Sequence, residues 1–495
     1  FMLVLASESL MQWKDEFRLN EFLVTIFGFG AILVLSMLRS LQYVETSQKI
    51  LAFIIWTIIL LAFFFRRAER VRRLQLTAGV VIVELMVSSF VGFRRAPYFI
   101  GNAGLKEQME FAIAFDKEGY SYQSTFTRME MHKGLSHANF PIAFGYNGAS
   151  HFTSSLEHEL IEEMSHLGLP TSQSVANYTD RNVILDSLFG VSRFMMDGDE
   201  KRVYADVRGM YAKEGTMKNF TVYRNPYAFS LGYLTNENTA TNIAFEKNQP
   251  VANLNQLLQV IGLSGTNALT EVNVGEPVTT NLTKGQEKYT LTNEAEPAKI
   301  EWKFNLQPNK LYFVEIPERQ AGSVIKSQVM LNGIGYPYEN RFHENQLWTI
   351  GNGNLDQMLT FAIENAKVKE WDLRGFKFYS IDITTLANAL TQYKKANDIT
   401  IDAYSNAMVK AHVTVTNGEQ SFATFTIPYH SGWSVTVDGK KQEVKKALGF
   451  FMGVSLTEGE HEIVWTYTPP GLHLGMLISI SSLVLLVFLW KKHKN

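Results

Sequence analysis

The sequence predicts an α+β membrane protein, in which helical transmembrane segments precede a large extracytoplasmic α/β region and a C-terminal transmembrane helix follows it. Three observations support this fold class. Four long apolar runs lie near the two ends of the chain. The stretch between them is acidic and rich in strand-like segments. The last part of that stretch has short strands at regular spacing, which is typical of a β-sandwich.

The four apolar runs are predicted to cross a membrane. A spanning helix needs about 17–25 predominantly apolar residues, and only one run contains an ionisable residue, Glu84. Buried helices of a large soluble protein are the alternative, but such helices normally carry a polar stripe. The runs cover residues 22–38, 50–65, 74–93 and 474–490.

Lysine and arginine set the predicted orientation. Residues 66–73 carry five arginines and residues 491–494 three lysines, and the positive-inside rule places both segments in the cytoplasm. Residues 1–96 hold 11 Lys and Arg against 7 Asp and Glu, whereas residues 97–490 hold 32 against 41. The second region is therefore net negative and is predicted to lie outside the membrane.

This pattern divides the chain into four predicted parts. They are a transmembrane helical region at 1–96, an extracytoplasmic mixed α/β domain at 97–396, an extracytoplasmic β-sandwich at 397–470, and a transmembrane helix with a basic tail at 471–495. The first residues, FMLVLA, are apolar and lack a basic n-region, so they make a poor signal peptide. We therefore expect the chain to be the C-terminal part of a longer polytopic protein.

Periodicity predicts the elements of the outer region. Ser154 or Ser155 is a predicted N-cap, and Asp438-Gly439 is a hairpin turn signal. Helices are predicted at 105–115, 155–167, 182–189, 254–261 and 384–395. Strands are predicted at 311–316 and 375–381, and then at 399–404, 411–416, 422–427, 433–437, 442–446, 450–455 and 462–467.

Composition excludes several classes of protein. The 495 residues include no cysteine, which rules out disulfides, thiolate metal sites and cysteine nucleophiles. A net charge of -2 argues against a strongly basic nucleic-acid binder. The sequence contains no P-loop, dinucleotide fingerprint or Gly-x-Ser-x-Gly elbow.

Charged residues near the membrane are candidates for a site. A lone carboxylate such as Glu84 should face the bundle interior or a water-filled cavity, either near a lipid-linked substrate or in a helix–helix hydrogen bond. Arg94 and Arg95 follow the third run, where a guanidinium pair can hold a lipid phosphate or simply extend to the interface.

Three further segments carry polar groups. Tyr146, Asn147 and His151 belong to a turn-rich segment that is either a glycan contact or a structural loop. Asp186 is an acid on an otherwise apolar helix, either a base or a structural partner. His158-Glu159 lacks the second histidine of a zinc helix, since Glu162 takes that place, so a solvated helix face is expected there and no metal ligand is assigned.

Several stretches resemble the YfhO family of bacterial integral membrane proteins. The resemblance is sharpest near the C-terminus, in Gly432-Trp433, in Val437-Asp438-Gly439-Lys440 and in Tyr467-Thr468-Pro469-Pro470-Gly471. The segments 146–152 and 185–191 are also similar to the family's. With the topology, the likeness covers essentially the whole chain.

The resemblance implies a GT-C-type glycosyltransferase that takes a sugar from a polyprenyl-phosphate donor. The implied acceptor is lipoteichoic acid or another wall polymer outside the bacterial cytoplasmic membrane, and the implied partners are a lipid-sugar synthase and a flippase. Such enzymes usually carry their catalytic acid in the first outer loop, and no segment of this chain matches that loop.

Transfer of this kind needs a base and positive charge at the departing phosphate. Asp186 and Glu84 are the candidates for the base, and Arg94 and Arg95, or a divalent cation, for the positive charge. No other cofactor is expected. The alternatives are a non-catalytic, membrane-anchored glycan-binding or scaffold protein and, more weakly, a transporter subunit.

Overall fold

The computed structural model describes most of the chain after residue 101. It covers residues 102–494 except 122–125, 133–138, 154–156, 172–173, 177, 179–181, 199–203, 287, 319–327, 337–343 and 366–368. Before residue 102 it describes residues 27, 28, 79, 82 and 86, all helical. The chain divides into two compact units, residues 1–106 and 107–495, and nearly all described elements belong to the second.

Nine α-helices lie in the described region. Asn182 caps the fourth by accepting hydrogen bonds from the backbone N–H groups of Ile184 and Leu185, as expected of an N-cap asparagine. The helices are α1 (Asn102–Lys117), α2 (Phe140–Phe144), α3 (His158–His166), α4 (Val183–Leu188), α5 (Ala205–Met210), α6 (Glu237–Asn242), α7 (Pro250–Val260), α8 (Ile383–Asn397) and α9 (Leu472–Lys494).

The five helices predicted in the outer region all form, with ends shifted by a few residues. The predicted N-cap of α3 is wrong: Glu157 occupies that position and makes no capping hydrogen bond through its side chain. The Ser154/Ser155 signal is misleading because the helix begins at His158, later than the signal predicts.

The first strands form a small sheet around the motif segments. The sheet order is β1-β4-β6-β5, with β1 parallel to β4 and the other pairs antiparallel. Met129 and Met131 of β1 pack with Phe111 and Phe115 of α1. Strands β2 and β3 form a two-stranded sheet of their own, and β7 joins a later sheet. The strands of this region are β1 (Arg128–His132), β2 (His151–Phe152), β3 (Val175–Ala176), β4 (Val191–Asp197), β5 (Ala212–Met217), β6 (Phe220–Arg224) and β7 (Gly232–Thr235).

Two antiparallel sheets in the middle of the chain share an apolar core. Their orders are β15-β14-β17-β12-β9 and β16-β13-β19-β8, and Trp302, Trp348 and Phe361 lie between them. Strands β10, β11 and β18 of the same region form a separate three-stranded sheet. The strands of this region are β8 (Thr270–Val272), β9 (Val278–Thr280), β10 (Leu282–Lys284), β11 (Tyr289–Leu291), β12 (Ala298–Asn305), β13 (Lys310–Ile316), β14 (Gln328–Leu331), β15 (Ile334–Tyr336), β16 (Gln346–Asn352), β17 (Met358–Asn365), β18 (Glu370–Trp371) and β19 (Lys377–Asp382).

The last strands form two sheets that pack around Phe425 and Trp465. Their orders are β20-β21-β27-β23-β24 and β25-β26-β22-β7. Strands form in every segment predicted between 399 and 467. They are β20 (Thr400–Ser405), β21 (Met408–Val415), β22 (Phe422–Pro428), β23 (Trp433–Val437), β24 (Lys440–Gln442), β25 (Lys445–Ala447), β26 (Phe451–Ser455) and β27 (Gly459–Tyr467).

Strand β7 enters this sandwich from a distant part of the chain. It pairs with β22, with Thr235 opposite Phe422, although it lies well before residue 397. The fold therefore completes the sandwich with a strand from the predicted α/β domain. The proposed boundary at 397 stays a prediction.

The membrane crossings are not confirmed by the structure. Within the described residues, no helix combines the length and the hydropathy that a crossing requires. The predicted spans at 22–38, 50–65 and 74–93 lie outside the described residues, apart from the five helical positions named above. The fourth predicted span falls on α9, whose apolar side chains, among them Leu477 and Phe488, are exposed.

Candidate functional site

Strand β1 holds the Tyr146–Phe152 segment through a buried carboxylate. Glu130 is 2% exposed and accepts hydrogen bonds from the backbone N–H groups of Ala149 and Ser150. It also accepts one from the Ser150 hydroxyl at 3.1 Å. Because backbone and side-chain donors both point at it, Glu130 fixes the segment that carries three of the predicted site residues, Tyr146, Asn147 and His151.

The same strand reaches the second motif segment through Arg128. Its guanidinium donates to the carbonyl oxygen of Phe189, in the segment 185–191. It also donates to the hydroxyl and carbonyl oxygens of Thr426 at 3.1 and 3.0 Å. Burial lowers the pKa of Arg128 to about 10, so the guanidinium is still charged at neutral pH. Arg128 and Glu130 thus bring the two motif segments together on β1.

Tyr146 and Asn147 line a pocket beside β1, called the β1 pocket below. It is a shallow cavity of about 10 Å³, enough for about one water molecule, and is open to solvent. Tyr146 is 3% exposed, and burial, followed by the nearby Glu130, raises the pKa of its phenol, so the hydroxyl keeps its proton. The other lining residues are Tyr120, Ser121, Thr127, Met129, Ser192 and Arg193.

Asn147 is anchored in this pocket by its side-chain amide. The amide nitrogen donates to the carbonyl oxygen of Thr127 at 3.1 Å and to the Tyr404 hydroxyl at 3.4 Å. The backbone carbonyl oxygen of Asn147 accepts a hydrogen bond from the backbone N–H of Met129 at 2.9 Å. These bonds give Asn147 a fixed orientation toward β1.

His151 lies on the short strand β2, opposite Ala176 of β3. It is half-buried and is not among the residues that line the β1 pocket. Of the three residues predicted to form one glycan contact, the structure therefore brings Tyr146 and Asn147 together and leaves His151 on the adjoining strand.

Asp186 lies inside the core on α4 and is fully buried. Its carboxylate accepts a hydrogen bond from the Tyr211 hydroxyl. The segment around it is fixed by its neighbours. Gly190 has a φ of +72°, and a Cβ there would lie 3.0 Å from the carbonyl oxygen of Phe229. Asp186 does not line the β1 pocket.

The remaining predicted site residues, Glu84, Arg94 and Arg95, lie outside the described residues. Within the described part of the chain, no group of three or more His, Asp or Glu side chains is placed to hold a metal ion. His158 and Glu162 form an exposed contact of 3.1 Å between neighbouring turns of α3.

The sequence analysis missed Arg128 and Glu130. The Arg-Met-Glu-Met-His pattern alternates apolar and polar residues, which is typical of a strand with one solvated face. The polar face is instead covered, since Glu130 is bonded by the 146–152 segment and Arg128 by Thr426. Arg128 and Glu130 flank Met129 in the sequence, and this local pattern does not indicate that either charge is covered by a distant segment.

Comparison with known proteins identifies relatives. Residues 1–479 match the family described as "Bacterial membrane protein YfhO". The "Uncharacterized protein YfhO" of Bacillus subtilis (strain 168) is 22% identical over 384 residues, which are 72% of this chain and 42% of that protein. The chain thus spans less than half the length of this relative.

Similarity to solved structures is slight. An FMN-binding β-glucuronidase from Facaelibacterium prausnitzii L2-6 is 12% identical, with 41% of this chain and 34% of that chain covered and a TM-score of 0.16. A conserved protein of unknown function from Pseudomonas aeruginosa PAO1 is 8% identical, with 41% and 93% covered and a TM-score of 0.13. Similarity at this level has no bearing on function.

Proposed function

The chain belongs to the YfhO family of bacterial membrane proteins, and from this membership we propose that it is the C-terminal part of a membrane glycosyltransferase. The proposed reaction transfers a sugar from a polyprenyl-phosphate donor to lipoteichoic acid or another wall polymer outside the membrane. Because the chain spans 42% of its Bacillus subtilis relative, the main catalytic loop is proposed to lie in the rest of the protein.

The β1 pocket is the observation that supports a role in glycan binding. Sugar sites combine aromatic rings with a few fixed hydrogen-bonding groups. Tyr120 supplies a partly exposed ring, and Asn147 and Ser121 supply polar groups. No carboxylate lines this pocket, so the chemistry that it offers is recognition of hydroxyl groups rather than proton abstraction.

The catalytic roles are assigned by proposal. Arg94 and Arg95 are proposed to hold the donor phosphate, with a divalent cation as the alternative source of positive charge. Glu84 and Asp186 stay the proposed candidates for the base. The burial of Asp186 and its bond to Tyr211 favour a structural role for it, and therefore favour Glu84.

A multi-pass topology with the large region outside the membrane is part of the proposal. The family is described as a membrane protein, and the exposed apolar side chains of α9 support contact with lipid. The five arginines of residues 66–73 and the lysines of 491–494 support a cytoplasmic location for those segments. A lipid-sugar synthase and a flippase are the proposed partners.

The second candidate is a non-catalytic glycan-binding or scaffold protein anchored in the same membrane. The absence of a carboxylate among the residues that line the β1 pocket favours it. The two candidates differ in one property, since only the enzyme changes the sugar content of the polymer.

Deletion of the full-length gene separates them. The enzyme predicts that lipoteichoic acid loses a sugar while the lipid-linked sugar persists or accumulates. Polymer with unchanged sugar content, in cells that make the lipid-linked donor, would exclude the transferase and leave the scaffold.

Variants of the full-length protein then test the residues. Asn147→Ala is expected to reduce transfer, whereas Asn238→Ala, on an exposed position of α6, serves as the matched control. Arg94→Ala together with Arg95→Ala is expected to reduce transfer without loss of protein from the membrane. Normal transfer by this double variant would remove both arginines from the site.

A further inference from the structure

Apolar side chains are concentrated on the exposed surface of α1, α2 and β2. Four large apolar side chains are exposed there, and they are called the apolar patch below: Met109, Ile113, Ile142 and Phe152. In the rest of the described chain between residues 107 and 471, the exposed large apolar side chains are Val278, Leu355 and Met358. Because soluble proteins rarely cluster apolar groups at their surface, this concentration indicates a surface that meets a partner.

Helix α1 is apolar on two opposite faces. Phe111 and Phe115 are buried in the core beneath it. Met109 and Ile113 lie one turn apart, and therefore on one face of the helix, and both are exposed. A helix between a protein core and water normally carries its apolar residues on one face only. The second apolar face of α1 therefore favours contact with a non-aqueous surface.

Contacts between α1, α2 and β2 join the four patch residues in one layer. The ring of Phe111 on α1 lies 4.8 Å, centroid to centroid, from the ring of Phe144 on α2. The side chain of Asn139, the N-cap of α2, accepts a hydrogen bond from the N–H of Phe152 at 2.9 Å. Helix α2, which carries Ile142, is thus in contact with both α1 and β2.

This layer is joined to the end of the sandwich that leads into α9. The side-chain amide of Asn147, in the segment that ends with β2, donates to the hydroxyl of Tyr404 at 3.4 Å. Tyr404 lies next to the turn between β20 and β21. In that turn the carbonyl oxygen of Ala407 accepts a hydrogen bond from the N–H of Tyr467 at 2.8 Å. Tyr467 ends β27, shortly before the start of α9.

Aromatic side chains gather at the same end of the sandwich. The ring of Tyr467 lies 5.1 Å from that of Trp433 and 5.5 Å from that of His430, and all three residues are half-buried. Nε2 of His430 lies 3.0 Å from the carboxylate of Glu157, the N-cap of α3. Tryptophan and tyrosine are enriched where a membrane meets water, because their rings are apolar and their edges polar. This composition favours the headgroup level of a bilayer around this end.

The charges next to the patch limit the kind of surface that it fits. The exposed charged residues of α1 and the position after it are Glu110, Asp116, Lys117 and Glu118, so three of the four are acidic. Acidic groups are not attracted to anionic lipids, which bind basic segments. Shallow insertion of apolar groups, about 5–10 Å into the boundary between headgroups and acyl chains, leaves such charges in contact with water.

We propose that the apolar patch inserts into the headgroup region of the membrane, so that the layer of α1, α2 and β2 rests on the bilayer. Lipid is the inferred partner because the family is described as a membrane protein, and because the layer is joined to the chain that leads into α9, whose apolar side chains are exposed. The proposal rests on the proposed membrane location and not on the transferase activity. The same layer carries Tyr146 and Asn147, so insertion would hold the β1 pocket near the membrane surface.

Single labels test the insertion, since the chain has no cysteine of its own. The full chain with Ile113→Cys or Ile142→Cys is labelled with nitrobenzoxadiazole and reconstituted into phosphatidylcholine vesicles that contain a lipid with a spin label near its headgroup. Val278→Cys is the matched control, because Val278 on β9 is 65% exposed, as is Ile113, and lies outside the patch. We expect a blue shift of the emission and quenching by the spin-labelled lipid at 113 and 142, and neither at 278.

Two results would overturn the proposal. The first is that the labels at 113 and 142 are no more quenched than the label at 278. The second is a blue shift at 113 and 142 without quenching by the lipid, which would mean that protein, such as a second copy of the chain, covers the patch.

A charge variant tests whether the patch residues act as one surface. Ile142→Asp, in the chain labelled at 113, is expected to lower the quenching at 113, because a charged group resists transfer into lipid. Val278→Asp is the control and should leave this quenching unchanged. Equal quenching in the two variants would overturn the assignment of these residues to one surface.

The lipid composition separates apolar insertion from electrostatic attachment. Replacement of part of the phosphatidylcholine by phosphatidylglycerol should not increase the quenching at 113 and 142, because the charges next to the patch are mostly acidic. Quenching that requires phosphatidylglycerol would identify attachment through basic groups and would overturn the proposal.

The outcome is separable from that of the proposed function. Quenching at 113 and 142, together with unchanged polymer after gene deletion, keeps the inserted patch and rejects the transferase. Loss of polymer glycosylation after gene deletion, with water-exposed labels at both positions, keeps the transferase and rejects the inserted patch.

Discussion

The guanidinium of Arg128 donates hydrogen bonds to both the hydroxyl and the carbonyl oxygen of Thr426, a residue 298 positions further along the chain. The register of β22 against β26 shifts between Phe425 and Pro428, and the irregularity includes Thr426. A β-bulge of this kind leaves backbone groups outside the regular ladder. Arg128 therefore bonds to β22 where its ladder is interrupted, and joins the first sheet to the sandwich.

Arg128→Lys is expected to destabilise the protein by about 2–3 kcal/mol, because a lysine cannot replace the forked bonds to Thr426 and Phe189. The free energy of unfolding in denaturant measures the change. Arg374→Lys is the control, since Arg374 is half-exposed and pairs with Asp372 at the surface. Arg374→Lys should lower the free energy of unfolding by less than about 1 kcal/mol. Equal losses in the two variants would contradict the role of Arg128.

Glu130→Gln is expected to loosen the Tyr146–Phe152 segment. An amide offers one acceptor oxygen in place of two, so part of the network with Ala149 and Ser150 is lost, at a cost of about 1–3 kcal/mol. Hydrogen exchange should become faster at the N–H groups of Ala149 and Ser150. Glu301→Gln, which breaks an ion pair to Lys299 on β12, should leave that exchange unchanged.

Thr349→Val is expected to stabilise the protein. The substitution removes a buried hydroxyl that has no hydrogen-bond partner in the described structure, and the gain should be about 1 kcal/mol. Thermal unfolding without ligand measures it. A loss of stability would mean that the hydroxyl already has a hydrogen-bond partner in the folded protein.

Deprotonation of Asp398 should lower the free energy of unfolding as pH rises from about 4 to about 6. Burial raises its pKa from 3.8 to about 6, so the folded state holds this proton more tightly than the unfolded state does. Its contribution is fully present below the unfolded pKa and is lost as pH rises through the folded pKa. With allowance for solvent screening, the loss should be about 2 kcal/mol.

Asp398→Asn keeps an acceptor for the N–H of Ser230 and removes the titration. The wild type should therefore lose stability relative to this variant as pH rises from 4.5 to 7.

Asp438 should show the opposite dependence of stability on pH. The backbone N–H of Glu462, and then His461, donate hydrogen bonds to its carboxylate and lower its pKa. Wild type should lose stability relative to Asp438→Asn as pH falls through that lowered pKa. For Asp398, parallel profiles of stability against pH in the wild type and in Asp398→Asn would contradict the prediction.

Tyr211→Phe and Asp186→Asn distinguish a structural from a catalytic Asp186. We expect Tyr211→Phe to cost about 1–3 kcal/mol, because it takes a hydroxyl donor from a buried carboxylate. Asp186→Asn keeps an oxygen that accepts the hydrogen bond from Tyr211. If Asp186 is structural, this variant should lower sugar transfer only in proportion to any loss of protein from the membrane. Loss of transfer with an unaltered unfolding temperature would instead identify Asp186 as the base.

Local signals allowed much of the fold to be predicted. Asp438 and Gly439 have φ values of +52° and +73°, and Val437 pairs with Lys440, which confirms the hairpin expected from Asp-Gly. The helix predicted at 182–189 forms as α4, with Asn182 as its N-cap. In both cases the preference of two or three adjacent residues decides the structure.

The contacts that build the site are not local, and this is why they were missed. Glu130 is buried because the segment 146–152 folds onto it, and Arg128 because Thr426 approaches from the sandwich. Such partners are set by the packing of whole elements, which the residues next to them in sequence do not encode. Tyr146 and Asn147 were predicted as site residues because their own residue types suggest sugar recognition, and this role stays a prediction.

Strand β7 imposes an order on biosynthesis. Thr235 bonds to Phe422, 187 positions later, and at about 5–20 residues per second the ribosome needs about 10–40 seconds to make the intervening chain. Throughout that interval Tyr233 and Leu234, both buried in the finished protein, have no sheet to join. The nascent chain thus carries an unpaired apolar strand until its partner has been synthesised.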